Sequence, residues 1–283
     1  MGPFFSPLSR GEVKSLSRLS SFPFYTSCMI RTRLDEALVA RGLYPSRARA
    51  RDAILRGTVT IDGALAVKPS QGVGPEAGIA IADPAQTYVS RAALKLVHAL
   101  DHFALSPAGL DCLDIGASTG GFTQVLLERG ASSVTAIDVG HGQMDAKIAS
   151  DVRVKSIEGL NARDLTLAHL PFRPGFIVCD VSFISLTLAL GPALDIAADH
   201  GEFGHFAPLV RTLVALIKPQ FEAGRAALGR GGIVTDPAIH AEVTRSIAAW
   251  LDARSWQVKG VIPSPLTGGD GNREFLIAAE KPC

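Results

Sequence analysis

The sequence is poor in cysteine, with only four in 283 residues, at positions 28, 112, 179 and 283. These positions are too widely separated to form the closely spaced ligand pairs that are typical of zinc sites. Cys112 and Cys179 lie in apolar stretches of the kind that form buried strands. We therefore expect no bound metal, and we interpret these two cysteines as reduced core residues of a cytosolic protein.

Long hydrophobic runs and an excess of charge of one sign are also missing. Every apolar run is broken before the roughly 18 residues that a membrane-spanning helix needs, so we expect no membrane anchor. The formal net charge is +1, which by itself neither favours nor excludes a nucleic-acid partner. At 47% hydrophobic residues, the chain can bury the core of one sizeable domain and of a second, small one.

The first 30 residues lack any apolar periodicity. They are rich in Ser, Phe and Pro, and they contain neither the hydrophobic stretch nor the cleavage site of a secretory signal peptide. For residues 1–30 we expect a disordered tail or a start site placed too early. A targeting peptide is the alternative, since the stretch contains few acids.

A small patterned segment follows at residues 31–73. Apolar residues at helical spacing predict one helix that ends at Gly42, and Ser46 can N-cap a second helix that ends at Gly57. The sequence TVTIDG then predicts a short strand with a tight Asp-Gly turn.

This segment is strongly basic. Residues 31–56 hold seven arginines against three acids, a local charge of +4 in a nearly neutral chain. A guanidinium group matches phosphate oxygens well, although a solvated helix face is the ordinary alternative for such a charge run. The candidate RNA-binding residues are Arg31, Arg33, Arg47, Arg49, Arg51 and Arg56.

The stretch RLDEALVARGLYPSRARARDAILRGTVTIDG closely resembles the S4-type RNA-binding domain. The similarity covers the Arg-Leu-Asp start, the Ser-Arg pair that opens the second helix and the Gly-x-Val-x-x-Asp-Gly ending. The resemblance implies an RNA partner that is recognised by its shape and backbone. Residues 74–86, which contain two Pro and two Gly, are expected to be a linker with room for a short strand.

Residues 87–283 alternate apolar strands with helical segments. This pattern predicts an α/β, Rossmann-like domain with a doubly wound and mostly parallel sheet, behind a small α+β domain. The last two strands have no helix between them, so we expect the final strand to run antiparallel. The seven predicted strands are Leu110–Ile115, Ser133–Val139, Val152–Ser156, Gly175–Val181, Leu209–Ile217, Val258–Ile262 and Phe275–Ala279.

The turn in LDIGASTGGFT, after the first of these strands, is built from small residues. Ligands of such folds bind beyond the carboxyl ends of the strands. Ser118 stands where a dinucleotide fingerprint has glycine, so an adenosyl cofactor without phosphates fits better than NAD, and a turn without any ligand is a further alternative. Asp138 can bind ribose hydroxyls, and Asn161 with Asp164 can line an adenine pocket. The cofactor-site candidates are Asp114, Gly116, Ala117, Ser118, Gly120, Gly121, Phe122, Asp138, Asn161 and Asp180.

Four charged residues in separate segments are candidates for catalysis: Lys95, Asp180, Lys218 and Glu274. Each alone has an ordinary explanation, as a snorkelling lysine, a helix cap or a charge at a sheet edge. Lys218 follows an apolar strand, and a lysine that is partly removed from water gives up its proton more readily.

In order and context, these four residues resemble the Lys-Asp-Lys-Glu tetrad of FtsJ-like RNA ribose 2′-O-methyltransferases. The segments YVSRAALKL, CDVSFISL, LIKPQFE and GNREFL carry the similarity, and LDIGASTGGFT resembles the first motif of S-adenosylmethionine-dependent methyltransferases. Together with the S4-like segment, they give the layout of the TlyA family.

The resemblance implies 2′-O-methylation of cytidine in 23S and/or 16S rRNA with S-adenosylmethionine, and either rRNA or a ribosomal subunit as the partner. It implies that Lys218 is the base or the oxyanion partner and that Asp180 orients it. Lys95 and Glu274 would complete the network. A hemolysin-like, membrane-active protein and a non-enzymatic RNA-binding protein are the alternatives.

Overall fold

A computed structural model describes residues 31–198, 210–268 and 271–282. The expectation for residues 1–30 and the predicted strand start at Leu209 lie outside the described residues. The chain divides between Ala82 and Asp83 into two compact units.

The first unit packs two helices and short strands around one apolar core. Leu34, Leu38 and Ile54 of the two helices are buried in this core. The Ser46 hydroxyl accepts the backbone N–H of Arg49 and so caps the second helix, as expected from the sequence. The elements are β1 (Thr32–Arg33), α1 (Leu34–Ala40), α2 (Arg47–Leu55), β2 (Val59–Ile61), β3 (Ala64–Leu65), β4 (Gly72–Val73) and β5 (Ile79–Ile81).

A tight hairpin joins β2 to β3. Asp62 and Gly63 both have positive φ, 49° and 82°, which is the backbone of a type I′ turn and favours glycine at the second position. The predicted Asp-Gly turn is thereby confirmed.

The stretch expected to be a linker contributes a strand to this unit. Strand β5 pairs antiparallel with β2, with Val59 opposite Ile81, and completes a three-stranded sheet. Its apolar side chains at Ile79 and Ile81 pack against the core of the first unit. Residues 79–81 are therefore part of the small domain, because burying their apolar side chains holds them to its sheet.

The second unit is a seven-stranded sheet with helices between most of its strands. The strand boundaries differ from the predicted ones by one to three residues at most ends. The elements are α3 (Ala93–Phe103), β6 (Asp111–Ile115), α4 (Gly121–Glu128), β7 (Ser133–Asp138), α5 (Ala146–Ala149), β8 (Val154–Glu158), β9 (Phe176–Cys179), α6 (Leu186–Ala198), β10 (Val210–Ile217), α7 (Pro219–Glu222), α8 (Pro237–Asp252), β11 (Gln257–Pro263) and β12 (Phe275–Pro282).

The strand order confirms the predicted architecture. The sheet runs β11-β12-β10-β9-β6-β7-β8. Neighbouring strands from β10 to β8 are parallel, whereas β12 is antiparallel to both β10 and β11. The fold is thus a Rossmann-like α/β sheet with an antiparallel last strand.

Helices cover both faces of this sheet. Helices α6 and α8 pack on one face through Leu190 and Ile247, and α3 and α4 pack on the other through Leu96 and Leu126. Burying such a side chain stabilises the fold by about 1.5–3 kcal/mol. Because both faces are covered, the central strands are near-continuous apolar runs in the sequence.

Cys112 and Cys179 are core residues, as the sequence predicted. They are buried in the two clusters on opposite faces of the sheet, and neither is in a disulfide. Burial raises the pKa of both thiols, so they stay protonated and unreactive.

Candidate active site

The candidate site lies at the edge of the sheet where β6, β9 and β10 end. Asp180 directly follows β9, and Lys218 directly follows β10. Glu274 directly precedes β12, which starts at this same edge because it runs antiparallel to β10. Lys95 comes from the first turn of α3. The topology of the sheet therefore brings four distant segments together.

The four side chains form one chain of ion pairs. Lys218 Nζ lies 2.6 Å from Asp180 Oδ1, and the other carboxylate oxygen of Asp180 lies 3.9 Å from Lys95 Nζ. Lys95 Nζ donates a hydrogen bond of 2.7 Å to Glu274 Oε2. Lys95, Lys218 and Glu274 are only 7%, 8% and 3% exposed. Two positive and two negative groups alternate, and the cluster can stay buried because every charge has a partner.

The loop after β9 adds contacts that the sequence analysis missed. Besides its ion pair with Asp180, Lys218 Nζ donates a hydrogen bond of 2.8 Å to the exposed Ser182 Oγ. Phe183 is 90% exposed with φ of 65°, and its ring centroid lies 5.0 Å from that of Phe221. The signal that could have pointed to Ser182 was its position two residues after Asp180, in the same motif.

The small-residue turn after β6 makes a close approach to the loop after β9. A Cβ at Gly116 would lie 2.5 Å from the backbone oxygen of Asp180, so this position requires glycine. The backbone N–H groups of Ser118 and Gly140 donate to the two carboxylate oxygens of Asp138, at 2.8 and 2.7 Å. In a dinucleotide site, free backbone N–H groups of the turn bind pyrophosphate. Of these two groups, only Ser118 lies in the turn, since Gly140 follows β7. Because Asp138 accepts the N–H of Ser118, that group is not free for a phosphate, and the turn suits a ligand without phosphates.

A cavity of about 820 Å³ opens beside this turn. Its volume is within the range of about 300–1,000 Å³ that is usual for small-molecule sites. Carboxylates and an amide in its wall can bind the hydroxyls of a ribose and the edge of a base, so the cavity fits a nucleoside. The predicted cofactor residues that line it are Gly116, Ser118, Asp138, Asn161 and Asp180.

Asp114 lies near the end of β6 and is fully buried. Its Oδ2 accepts a hydrogen bond of 2.6 Å from Thr123 Oγ1, and its Oδ1 has no hydrogen-bond partner among the described residues. Burial raises the pKa of Asp114 to about 7. Asp114 therefore supports the turn, and it carries a proton near neutral pH far more often than an exposed carboxyl does.

Asn161 and the predicted cofactor residues that do not line the cavity also help to form the local backbone structure. The Asn161 side chain, besides lining the cavity, accepts the backbone N–H of Arg163 and caps a short 3-10 helix that contains Asp164. The remaining residues of the turn are buried at or just before the start of α4; they are Ala117, Gly120, Gly121 and Phe122.

In the first unit, a buried carboxylate holds two of the predicted RNA-binding arginines. Asp35 is fully buried and accepts hydrogen bonds from Arg33 Nε at 3.0 Å and from Arg47 Nη2 at 3.1 Å. The hydrogen bond from Arg33 lowers the pKa of Asp35. About half of each arginine side chain remains exposed, 44% and 51%, so part of each guanidinium group can still meet RNA.

The other arginines of this unit differ in their contacts. Arg56 pairs with Asp52 at 2.8 Å along α2, and Arg49 is partly buried on the same helix. Arg31 and Arg51 are exposed. A count of charges treats all six as equivalent, whereas in the structure Arg33, Arg47 and Arg56 are engaged in ion pairs with acids of the same unit.

The sheet topology, the nucleoside-sized cavity and the paired Lys-Asp-Lys-Glu cluster define a methyltransferase of the Rossmann-like class. Residues 88–281 match the family model of FtsJ-like methyltransferases, and residues 32–79 match that of the S4 domain. Over 248 residues, the chain is 42% identical to the 16S/23S rRNA (cytidine-2′-O)-methyltransferase TlyA of Mycobacterium tuberculosis, covering 87% of this chain and 89% of that protein. The chain belongs to the FtsJ-like methyltransferases and, within them, to the TlyA family.

Relatives named for hemolysis share the same layout. Hemolysin A of Brachyspira hyodysenteriae is 39% identical over 86% of this chain and 98% of its own length. A solved structure from Streptococcus thermophilus, also named for a hemolysin, has a TM-score of 0.68 at 38% identity and covers 90% of both chains. No helix in the described part of this chain is long and apolar enough to cross a membrane.

Proposed function

We propose that this chain transfers a methyl group from S-adenosylmethionine to the ribose 2′-hydroxyl of cytidine in 23S and/or 16S rRNA. The observation that carries the proposal is the buried ion-pair chain beside the cavity, with Lys218 Nζ 2.6 Å from Asp180. The choice of substrate is supported by relatives from Mycobacterium tuberculosis and Campylobacter jejuni that are named for this reaction. An rRNA substrate would place the protein in the cytoplasm.

The wall of the cavity supports S-adenosylmethionine as the cofactor. Asp138 would bind the ribose hydroxyls and Asn161 the adenine, and Gly116 lines the same cavity. The cofactor supplies a methyl group that is already activated by its bond to a sulfonium sulfur. The protein therefore has to align the acceptor oxygen and to remove one proton.

Lys218 is the general base in this proposal. A ribose hydroxyl is a weak nucleophile, and a positioned base contributes about 10²–10⁴-fold to such a step. In this proposal Lys218 first loses a proton from the ammonium form that pairs with Asp180. Its neutral Nζ then accepts the 2′-hydroxyl proton as the oxygen attacks the methyl carbon. The ammonium group that results is stabilised by Asp180 and Ser182, at the distances that the structure shows.

The other two members of the cluster act through Asp180. Lys95 holds the second oxygen of Asp180, and Glu274 in turn holds Lys95. This arrangement fixes the direction in which Asp180 meets Lys218. Lys95 and Glu274 are therefore positioning residues, and they need no contact with the RNA.

The first unit would bind the rRNA backbone. Its exposed arginines can contact phosphates without regard to base identity, which fixes the RNA in register for the catalytic unit. Such binding suits structured RNA, in which shape and backbone are recognised. Neither a metal nor a membrane enters this proposal, and no metal-binding cluster occurs among the described residues.

The reaction is tested by mapping 2′-O-methyl marks on rRNA from cells with and without the protein. We expect a cytidine mark that is lost without the protein and restored when the purified protein acts on that rRNA with S-adenosylmethionine. A restored mark on a base atom, or no restored mark, would contradict the proposal. For the cofactor, calorimetric titration should show binding of S-adenosylhomocysteine but not of NAD, and a loss of at least about tenfold in affinity in Asp138→Ala.

A further inference from the structure

Two segments at the candidate site are joined by side-chain contacts. One segment begins with Lys218 and continues through α7, and the other is the loop of residues 181–185 that leads into α6. Lys218 contacts Ser182, and the ring of Phe221 packs on that of Phe183. A third contact, made by the last residue of α7, reaches the far end of the loop, where Ser185 lines the cavity, and it involves none of the charged tetrad.

That third contact is made by Glu222. Its Oε2 accepts a hydrogen bond of 2.8 Å from Ser185 Oγ, and its Oε1 accepts one of 2.6 Å from the backbone N–H of Leu186. Leu186 is the first residue of α6, and the first N–H groups of a helix have no partner within the helix. A carboxylate is favourable at this end of a helix because of the helix dipole. Glu222 therefore fastens the segment of Lys218 to the start of α6.

The loop between these contacts holds an unfavourable backbone. Phe183 has φ of 65°, a conformation that residues other than glycine rarely adopt. Strain of this kind persists only where contacts with surrounding residues hold the backbone in place. Here the loop is held on one side by Asp180, which Lys218 pairs with, and on the other by the bonds from Ser185 and Leu186 to Glu222.

We propose that Glu222 is a positioning residue for the methyl transfer. It keeps the loop that carries Ser182 and Phe183 at a fixed position relative to Lys218. The Lys218 amine therefore stays fixed relative to the wall of the cavity. A lysine side chain has many rotamers, and Ser182 can restrain Lys218 only if the loop itself is held. This inference rests on the proposed function, because it assigns Glu222 a role in the same proton transfer.

The test compares Glu222→Ala with Glu222→Gln in the full chain. In Glu222→Gln, the amide oxygen can still accept from Leu186 and the amide NH₂ can donate to Ser185, so we expect at least a third of wild-type kcat. In Glu222→Ala both bonds are lost, and we expect kcat on rRNA to fall at least tenfold. Affinity for S-adenosylhomocysteine should stay within twofold of wild type in Glu222→Gln. In Glu222→Ala it should fall less than kcat does, since Asp138 and Asn161 in the wall of the cavity are unchanged. Glu242→Ala, which removes an exposed glutamate of α8, is the matched control.

Ser185→Ala is the second variant, in case Glu222→Ala does not fold. It removes one of the two bonds to Glu222 and the bond from the backbone N–H of Thr187 to Ser185 Oγ, but leaves the N–H of Leu186 capped. We expect about a threefold lower kcat together with the loss of about 1 kcal/mol of stability that is typical of a lost N-cap. Wild-type kcat in Glu222→Ala would overturn the inference. So would a loss of stability in Ser185→Ala without any loss of kcat, since Glu222 would then be a helix cap only. If the wild-type protein itself leaves rRNA unmethylated, the proposed function is rejected. The comparison of variants rejects only the role of Glu222.

Discussion

Lys95 and Glu274 form a buried ion pair, with Nζ 2.7 Å from Oε2, although 179 positions separate them in the chain. Lys95 lies on the helix before the first strand of the sheet, and Glu274 directly precedes the last strand. The pair therefore ties the beginning of the catalytic unit to its end. It also supports Asp180, whose carboxylate lies between the two lysines.

Replacing one partner of this ion pair should destabilise the fold more than replacing both partners with apolar residues. Glu274→Leu leaves the charge of Lys95 buried and poorly paired, and we expect a loss of about 3 kcal/mol or more in the free energy of unfolding. The double variant Lys95→Met with Glu274→Leu should lose less than the sum of the two single variants. Urea unfolding of the four proteins measures this coupling. Strictly additive losses would show that the two side chains do not interact in solution.

Lys218→Ala should abolish methyl transfer while cofactor binding remains. We expect kcat to fall by about 10²–10⁴-fold, because the base that accepts the hydroxyl proton is gone. Affinity for S-adenosylhomocysteine should change little, since Lys218 is not among the residues that line the cavity. Turnover on rRNA and calorimetry measure the two effects. Lys259→Ala, a partly exposed lysine of β11, is the control and should behave as wild type. Retained turnover in Lys218→Ala would exclude it as the base.

Asp114 should make the protein without cofactor less stable as pH rises toward neutrality. Its carboxyl pKa is about 7 when folded against 3.8 for an ordinary carboxyl, so between these values the folded state binds more protons than the unfolded state. Stability therefore falls as pH rises from about 4 to about 7, by up to about 4 kcal/mol from this group.

Asp114→Asn isolates this effect because an amide does not titrate. Its free energy of unfolding should fall less than that of wild type between about pH 5 and about pH 7.5, since all other groups titrate alike in both proteins. Urea unfolding at several pH values, without cofactor, gives the comparison. Parallel curves for the two proteins would mean that Asp114 is ionised in the fold.

Arg51 should contribute to RNA binding without contributing to the fold. It is exposed on α2, and it makes no hydrogen bond or ion pair among the described residues. Arg51→Ala should weaken binding to different RNA sequences alike and lower the slope of log affinity against log salt by about 1. Arg245→Ala, an exposed arginine of α8, is the control. Arg47→Ala should weaken RNA binding and also cost stability, because it removes a partner of the buried Asp35.

The sequence predicted the sheet well because the signal for a strand is local. Seven apolar runs became seven strands, and the missing helix between the last two correctly indicated the antiparallel strand β12. Strand ends were less accurate, as at Val154–Glu158, where the predicted strand began two residues early. The linker expected at residues 74–86 contains β5, because its two isoleucines gain more by packing on the first unit than by facing water.

The candidate site was predicted only in part. Lys95, Asp180, Lys218 and Glu274 were identified by their resemblance to a family, and their distances of 2.6 to 3.9 Å come from the structure. Ser182 and Glu222 were not predicted, since a serine in a loop and a glutamate at the end of a four-residue helix carry no periodic signal. The hydrogen bonds from Arg33 and Arg47 to Asp35 could not be predicted either, because a count of charges does not show which side chains are in contact.

The amino-acid sequence by itself determined the two-part organisation, the order of strands and helices and the residue types available for chemistry, because these depend on local periodicity and on turn-forming residues. The tertiary structure alone decided which charges meet, which arginines remain exposed and which carboxyl has a raised pKa. Those properties depend on distances between segments far apart in the chain and on how much water each group has lost. Hydrogen bonds and close ion pairs require atoms within a few ångströms of each other, and the burial of a group depends on the whole folded structure.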